Sequence, residues 1–288
     1  MTADHPEAFA ERRISAGDGL SLYVRDYGDG GSAKTPVLCL GGLTRNSKDY
    51  HQLARRLAPT RRVIAPDYRG RGRSDYDTDW RNYQPATYLD DIRHILIALG
   101  VHRVVVVGTS MGGLLAAGMT AAMPTVLEGV VLNDVGPVVE RTGLEPIIDY
   151  MRGPATFPDW AAATERLRRT FPDFPAETDD QWRAIAGATY RQEADGRVRF
   201  DWDPALVKPL ERDTAARYDF WPLFRGLVRL PALVLRGETS TILGAELMAE
   251  MAAALPRLET VTVPGVGHGP SLNEDEAREA LDGFFRRV

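Results

Sequence analysis

Four consecutive valines, Val104 to Val107, run straight into Gly108-Thr109-Ser110-Met111-Gly112-Gly113, and a helix-like stretch from Leu114 to Met123 follows at once. An uninterrupted apolar run of this kind belongs to a strand buried on both faces. Passing directly from such a strand into a helix demands a very tight turn, with its apex residue in a strained backbone conformation. A Cβ at position 108 or 112 would collide with neighbouring backbone, so glycine is expected at both. The turn holds a serine hydroxyl clear of the sheet at a helix N-terminus, where the Met111 N–H and the helix dipole favour negative charge. A bare G-x-S-x-G arises by chance in many chains. Here the strand before it and the helix after it mark Ser110 as a candidate nucleophile.

The same alternation extends along most of the chain. Arg12 to Ser15 and Leu20 to Tyr27, around Gly17-Asp18-Gly19, read as a hairpin. Strands are predicted at Pro36–Leu40, Arg62–Ala65, Arg103–Val107, Leu127–Leu132, Ala232–Leu235 and Glu259–Val263. Helices are predicted at Lys48–Ala58, Pro85–Leu99, Ala245–Leu255 and Glu274–Arg287. This is the pattern of an α/β fold, a mostly parallel sheet covered by helices on both faces. Between about Pro137 and Pro222 the alternation stops. That segment holds four of the five tryptophans, Trp160, Trp182, Trp202 and Trp221, with helical stretches near Leu144–Met151, Trp160–Thr170 and Asp179–Gln192. The expected division is a core of residues 1–136 and 223–288, with 137–222 as a helical cap over the sheet's C-terminal edge, where such sheets bind ligands. Its tryptophans either form the cap's own core or line a pocket.

Composition narrows the function classes. A net charge of −5 argues against a nucleic-acid or anionic-membrane partner. The chain has no run of 18 apolar residues, and Asp4, Glu7 and Glu11 stand where a signal peptide would have its apolar core, so a cytoplasmic protein is expected. The single cysteine, Cys39, excludes an intrachain disulfide and reads as a small buried hydrophobe within a strand. His, Cys and carboxylates show no metal-ligand spacing, and no cofactor or metal is expected. The partner is a small-molecule substrate. Oligomeric state is not legible.

Four motifs carry a family resemblance that covers nearly the whole chain. They are the serine turn; Gly41-Gly42-Leu43-Thr44; Asp67-Tyr68-Arg69-Gly70-Arg71-Gly72-Arg73-Ser74; and Gly265-Val266-Gly267-His268. The chain resembles the α/β-hydrolase-fold superfamily, close to its capped bacterial esterase, lactonase and C–C hydrolase group. That resemblance implies an eight-stranded, mostly parallel twisted sheet and a Ser-His-acid site. It also makes Asp67–Ser74 a structural turn rather than a phosphate loop. Arg166, Arg168 and Arg169 read most simply as a solvated helix face.

His268 is the expected base. His51 and His94 fall inside predicted helices, His102 lies just before a strand, and His5 sits in an N-terminal segment expected to fray. The hydrolase chain order also places the histidine last. By resemblance, the oxyanion donors are the backbone amides of Leu43 and Met111. Gly41 departs from the family's usual histidine, which buttresses that loop. The acid is the irregular member, because Ser240 and Thr241 occupy the positions where the family commonly carries aspartate. Three readings stay open: Asp134, favoured because its strand end faces the same rim as the serine turn; Glu238, reaching over from the usual loop; or a degraded site. The functional expectation is a cofactor-independent serine hydrolase cleaving a small, mostly apolar ester or lactone through an acyl-enzyme. The alternatives are a C–C bond hydrolase of meta-cleavage products, or a weakened binding or sensing member of the fold.

Overall fold

The computed structural model describes residues 9–28, 31–172, 174, 176, 178–213 and 215–288; His5 lies outside them. The chain opens with an antiparallel hairpin, β1 (Ala10–Ser15) and β2 (Ser21–Tyr27). It continues through β3 (Val37–Leu40), α1 (His51–Leu57), β4 (Val63–Pro66), α2 (Pro85–Ala98), β5 (Val104–Thr109), α3 (Met111–Ala122) and β6 (Leu127–Asn133). An inserted stretch follows: β7 (Val138–Glu140), α4 (Arg141–Arg152), β8 (Thr156–Phe157), α5 (Trp160–Thr170), α6 (Asp179–Thr189), β9 (Tyr190–Gln192), β10 (Val198–Phe200), α7 (Lys208–Arg212), β11 (Arg217–Asp219) and α8 (Trp221–Phe224). The chain then returns to the main sheet with β12 (Ala232–Gly237), α9 (Ala245–Ala254), β13 (Leu258–Val263) and α10 (Asp275–Phe285).

The main sheet has eight strands in the order β1-β2-β4-β3-β5-β6-β12-β13. Only β2 runs antiparallel to its neighbours; from β4 to β13 every pairing is parallel. The sheet shows why its strands lack polar alternation. Leu38, Leu40, Val104 and Val106 point into one core with Ile92 and Ile95 of α2 and Leu115 of α3. Val37, Cys39, Val105 and Val107 point into a second core with Leu53 of α1 and Leu281 and Phe284 of α10. Successive residues of one strand therefore serve opposite cores, and each must be apolar. Cys39 is one of these fillers, and burial pushes its thiol well up from its ordinary value.

The predicted helix from Lys48 begins as a short 3-10 turn, Ser47–Tyr50, capped by the Asn46 side chain on the Lys48 N–H. The Asp67–Ser74 turn is structural in the way the resemblance implied. Buried Asp67 accepts from the Ser47 and Arg73 amides at 2.7 and 2.8 Å. Beside it, Arg69 is enclosed by three carboxylates: Asp91 through two bonds of 2.7 Å, and Asp18 and Asp77 at 2.7 Å each.

Two features of the insertion differ from the sequence expectation. First, it is not purely helical: β8-β10-β9 and β11-β7 form small antiparallel sheets. The stretch expected to run as helix to Gln192 ends at Thr189 and turns into β9. Second, only Arg169 of the three arginines is fully exposed, while Arg166 and Arg168 are half-buried over the rings of Tyr150 and Trp182. The insertion has its own aromatic core. Trp202 stacks on Phe200 with ring centres 4.2 Å apart, and Phe200 packs on Tyr150, Phe157 and Tyr190. Trp182 and Trp202 are buried; Trp160 and Trp221 are half-buried.

The loop after β3 is tied to this insertion by side chains. Arg45 Nη1 donates to Thr189 Oγ1 at 2.5 Å and Asn46 Nδ2 to the Ala188 carbonyl at 3.1 Å. Lys48 Nζ reaches the Gly187 carbonyl at 2.9 Å and the Asp201 carboxylate at 2.8 Å. The Gly187 and Ala188 carbonyls near the C-terminal, negative end of the α6 dipole thus receive the Lys48 and Asn46 donors.

Candidate active site

Ser110 stands between β5 and α3 with φ 53° and ψ −117°, a region that L-residues rarely occupy. The flanking glycines are steric necessities. A Cβ at Gly108 would lie 2.4 Å from the Gly112 carbonyl oxygen, and one at Gly112 would lie 2.0 Å from that of Leu40. The serine amide donates to the Asn133 carbonyl at 3.0 Å, which fixes the turn to the end of β6.

His268 follows β13, and its ring meets two partners. Nε2 lies 3.0 Å from Ser110 Oγ, and Nδ1 lies 2.6 Å from Asp134 Oδ2. An ionised carboxylate only accepts, so Nδ1 carries the proton and Nε2 presents its lone pair to the serine hydroxyl. Asp134 comes from the end of β6, fully buried at φ 56°, a left-handed conformation that aspartate tolerates better than most residues. Its other oxygen accepts the Gly237 N–H at 2.9 Å, and Ser240 Oγ donates to Oδ2 at 2.5 Å. Burial of this carboxylate is thus matched by three hydrogen bonds.

The alternative candidate, Glu238, is not brought to the histidine. Glu238 is exposed, and its carboxylate accepts the Gly265 N–H at 2.8 Å rather than turning to His268. Thr241 is exposed as well. The premise of a degraded site, an imidazole left without a carboxylate, is not met. The carboxylate that meets His268 is that of Asp134, the favoured candidate, and the groups that hold it, Gly237 and Ser240, lie more than 100 positions away along the chain.

The candidate oxyanion loop lies beside the serine, since a Cβ on Gly42 would be 3.7 Å from Ser110 Cβ. Met111 is the first residue of α3, where an amide has no intrahelical acceptor. Among the described residues, neither its N–H nor that of Leu43 donates within the protein. Gly41 provides no buttress, but the loop carbonyls are held in other ways. The Tyr50 hydroxyl lies 2.6 Å from the Leu40 oxygen, Tyr68 reaches the Gly41 oxygen at 3.4 Å, and Arg71 Nε donates to the Leu43 oxygen at 2.9 Å. Burial pushes both phenols well up, so they remain protonated donors.

Sequence reasoning did not find Asn133. Its amide nitrogen donates to Thr109 Oγ1 at 3.1 Å and to the Pro270 carbonyl at 2.8 Å, joining the serine turn to the histidine loop. Nothing but its place beside Asp134 could have signalled it. The other described histidines lie elsewhere: His51 contacts the Tyr27 hydroxyl at 3.1 Å, His94 pairs with Asp90, and His102 is exposed ahead of β5. Among the described residues, no group of three or more His, Cys, Asp or Glu is arranged to hold a metal ion. No described helix is long and apolar enough to cross a membrane.

A family model described as "Alpha/beta hydrolase family" matches residues 37–282, a span that includes the serine turn and the histidine after the last strand. The chain belongs to the alpha/beta hydrolase family. It is 32% identical over 273 residues to the 3-hydroxybutyrate-oligomer hydrolase of Cupriavidus necator, covering 92% of each protein. It is 30% identical over 269 residues to the 2-(acetamidomethylene)succinate hydrolase of Mesorhizobium japonicum, covering 93% of this chain and 91% of that one. Among solved structures, an alpha/beta hydrolase from Novosphingobium aromaticivorans superposes with a TM-score of 0.90 at 42% identity, covering 98% of this chain and 99% of the other. E-2-(acetamidomethylene)succinate hydrolase superposes with a TM-score of 0.81 at 29% identity, covering 97% and 100%. This alpha/beta hydrolase is accordingly a hydrolytic enzyme, with esterases among its structural neighbours.

Proposed function

We propose that this hydrolase cleaves a small, mostly apolar ester or lactone through a serine acyl-enzyme, without a cofactor. The observation that carries the reading is the continuous line from Ser110 Oγ to His268 Nε2 at 3.0 Å and from His268 Nδ1 to Asp134 Oδ2 at 2.6 Å. In this reading, His268 Nε2 takes the hydroxyl proton as Ser110 Oγ attacks the carbonyl carbon. Asp134 stabilises the resulting imidazolium, and the Leu43 and Met111 amides receive the carbonyl oxygen as it becomes an oxyanion. His268 then protonates the departing alkoxide. A water, deprotonated by the same nitrogen, attacks the acyl-enzyme and releases the acid and free Ser110.

A serine at the turn supports attack by an alkoxide rather than by a carboxylate. A relative named for 3-hydroxybutyrate oligomers supports ester cleavage, because such oligomers are joined by ester bonds. Half-buried Leu43 and Met111 beside the serine favour an apolar acyl group. The segment 137–222 acts in this proposal as the cap that shapes the binding space.

The test is turnover of p-nitrophenyl acetate by Ser110→Ala. The variant is expected to lose the pre-steady-state burst of p-nitrophenol and to fall to the residual rate of the remaining site. Undiminished turnover by this variant refutes the assignment.

A further inference from the structure

We propose that Ser240 is a positioning residue for Asp134 and His268, and that positions 134 and 240 form a single acid site with room for one carboxylate. The inference rests on the roles proposed above for Ser110, His268 and Asp134. Ser240 stands where relatives commonly carry the acid, yet it serves the relocated one. Its Oγ donates at 2.5 Å to Asp134 Oδ2, the oxygen that also receives His268 Nδ1 at 2.6 Å. The hydroxyl is aimed. Its lone pairs face the amides of Ile242 at 3.1 Å and Leu243 at 3.3 Å, which leaves its one proton for the carboxylate. The Ser240 amide is itself anchored on the Gly237 carbonyl at 3.1 Å, while the Gly237 N–H holds Asp134 Oδ1 at 2.9 Å.

The end of β12 and the loop after it therefore supply two of the three hydrogen bonds that fix a carboxylate borne at the end of β6. Turning that carboxylate away from His268 would break both. An aspartate at 240 would bring acceptors where a donor is needed. Two carboxylates within hydrogen-bond distance cannot both ionise, so the two acid positions exclude each other. With position 134 amidated, the conflict disappears. An aspartate at 240 then carries its oxygens one atom beyond the present Oγ, which already shares the Asp134 Oδ2 position with His268 Nδ1.

The experiment is steady-state hydrolysis of p-nitrophenyl butyrate by the full chain, with thermal melting of every variant. Ser240→Ala is expected to lower kcat about 10-fold at nearly constant KM, because Asp134, and with it the His268 ring, loses its alignment with Ser110. A carboxylate with one donor fewer holds imidazolium more tightly, so the acidic limb of the kcat/KM profile moves to higher pH. Ser240→Thr restores both. Ser240→Asp alone is no better than Ser240→Ala, whereas Asp134→Asn with Ser240→Asp exceeds Asp134→Asn alone at least about 10-fold.

Wild-type kcat and pH profile in Ser240→Ala overturn the positioning role, as does a Ser240→Thr no better than Ser240→Ala. A double variant no faster than Asp134→Asn overturns the shared site. If Ser240→Ala fails to fold, the threonine and double variants decide. Full turnover in Ser110→Ala and Asp134→Asn instead brings down the underlying catalytic reading, a different outcome from a neutral Ser240→Ala.

Discussion

Asp134→Asn tests the proposed chemistry most sharply, because the surroundings dictate how an amide must sit there. The carboxylate receives three donors: the Gly237 N–H on Oδ1, and Ser240 Oγ and His268 Nδ1 on Oδ2. Asparagine has one oxygen to offer. The Gly237 amide is backbone and cannot turn its proton away, so it claims that oxygen. The NH₂ then faces Ser240 and His268. Serine can accept only by releasing the Ile242 or Leu243 amide, and histidine can accept only by moving its proton to Nε2. That tautomer points N–H at Ser110 Oγ and cannot take the hydroxyl proton. We expect kcat for p-nitrophenyl butyrate to fall about 10³–10⁴-fold, the loss found when a triad imidazole is held in the wrong tautomer. KM should hardly change, since shape survives, and the melting temperature should fall modestly, since Ser240 loses its acceptor. A folded variant that keeps more than about a tenth of wild-type kcat would show that this carboxylate does not orient the base.

Other expectations follow from the same contacts. Glu238→Gln should leave kcat unchanged, because glutamine can still accept the Gly265 N–H; a loss comparable to Asp134→Asn would return the acid to position 238. Gly112→Ala should cost about 3 kcal/mol, the upper end for overpacking, because its Cβ meets the Leu40 carbonyl at 2.0 Å and backbone cannot step aside; an unchanged melting temperature refutes this. Arg69→Met should destabilise by about 3–5 kcal/mol by stranding buried carboxylates. Burial pushes the Asp91 carboxyl up and Arg69 pulls it back only in part. Asp91 thus favours folding most when protonated, at pH below the ordinary carboxylate range, and that contribution is lost as pH rises. Without Arg69 the loss deepens, so the melting deficit should be larger at pH 7 than at pH 4.5; an equal deficit at both argues against a buried charge.

The parts of this fold that were legible from sequence are those written in local spacing. Val104–Val107, the glycines around Ser110 and the loop bearing His268 each declare their structure within a few residues. The core strands follow, because being covered on both faces leaves a continuous apolar run. The proposed acid was only half legible. Asp134 and His268 are 134 positions apart, and nothing local to Asp134 records the Ser240 hydroxyl or the Gly237 amide that hold it. Strands such as Thr156–Phe157 and Val198–Phe200 escaped for a related reason. They are too short for a period to show, and they form through pairing and aromatic packing rather than through intrinsic preference. Arg166 and Arg168 looked like a solvated face because helix spacing does not reveal the rings their guanidinium groups cover.

The side chains of Arg45, Asn46 and Lys48 sew the end of α6 and Asp201 to the loop that also carries Leu43. Along that seam the insertion cannot lift without tugging on the peptide that would face the reacting carbonyl. In the proposed reading, a substrate wide enough to pry those contacts apart would displace the Leu43 amide from the oxygen it is meant to receive.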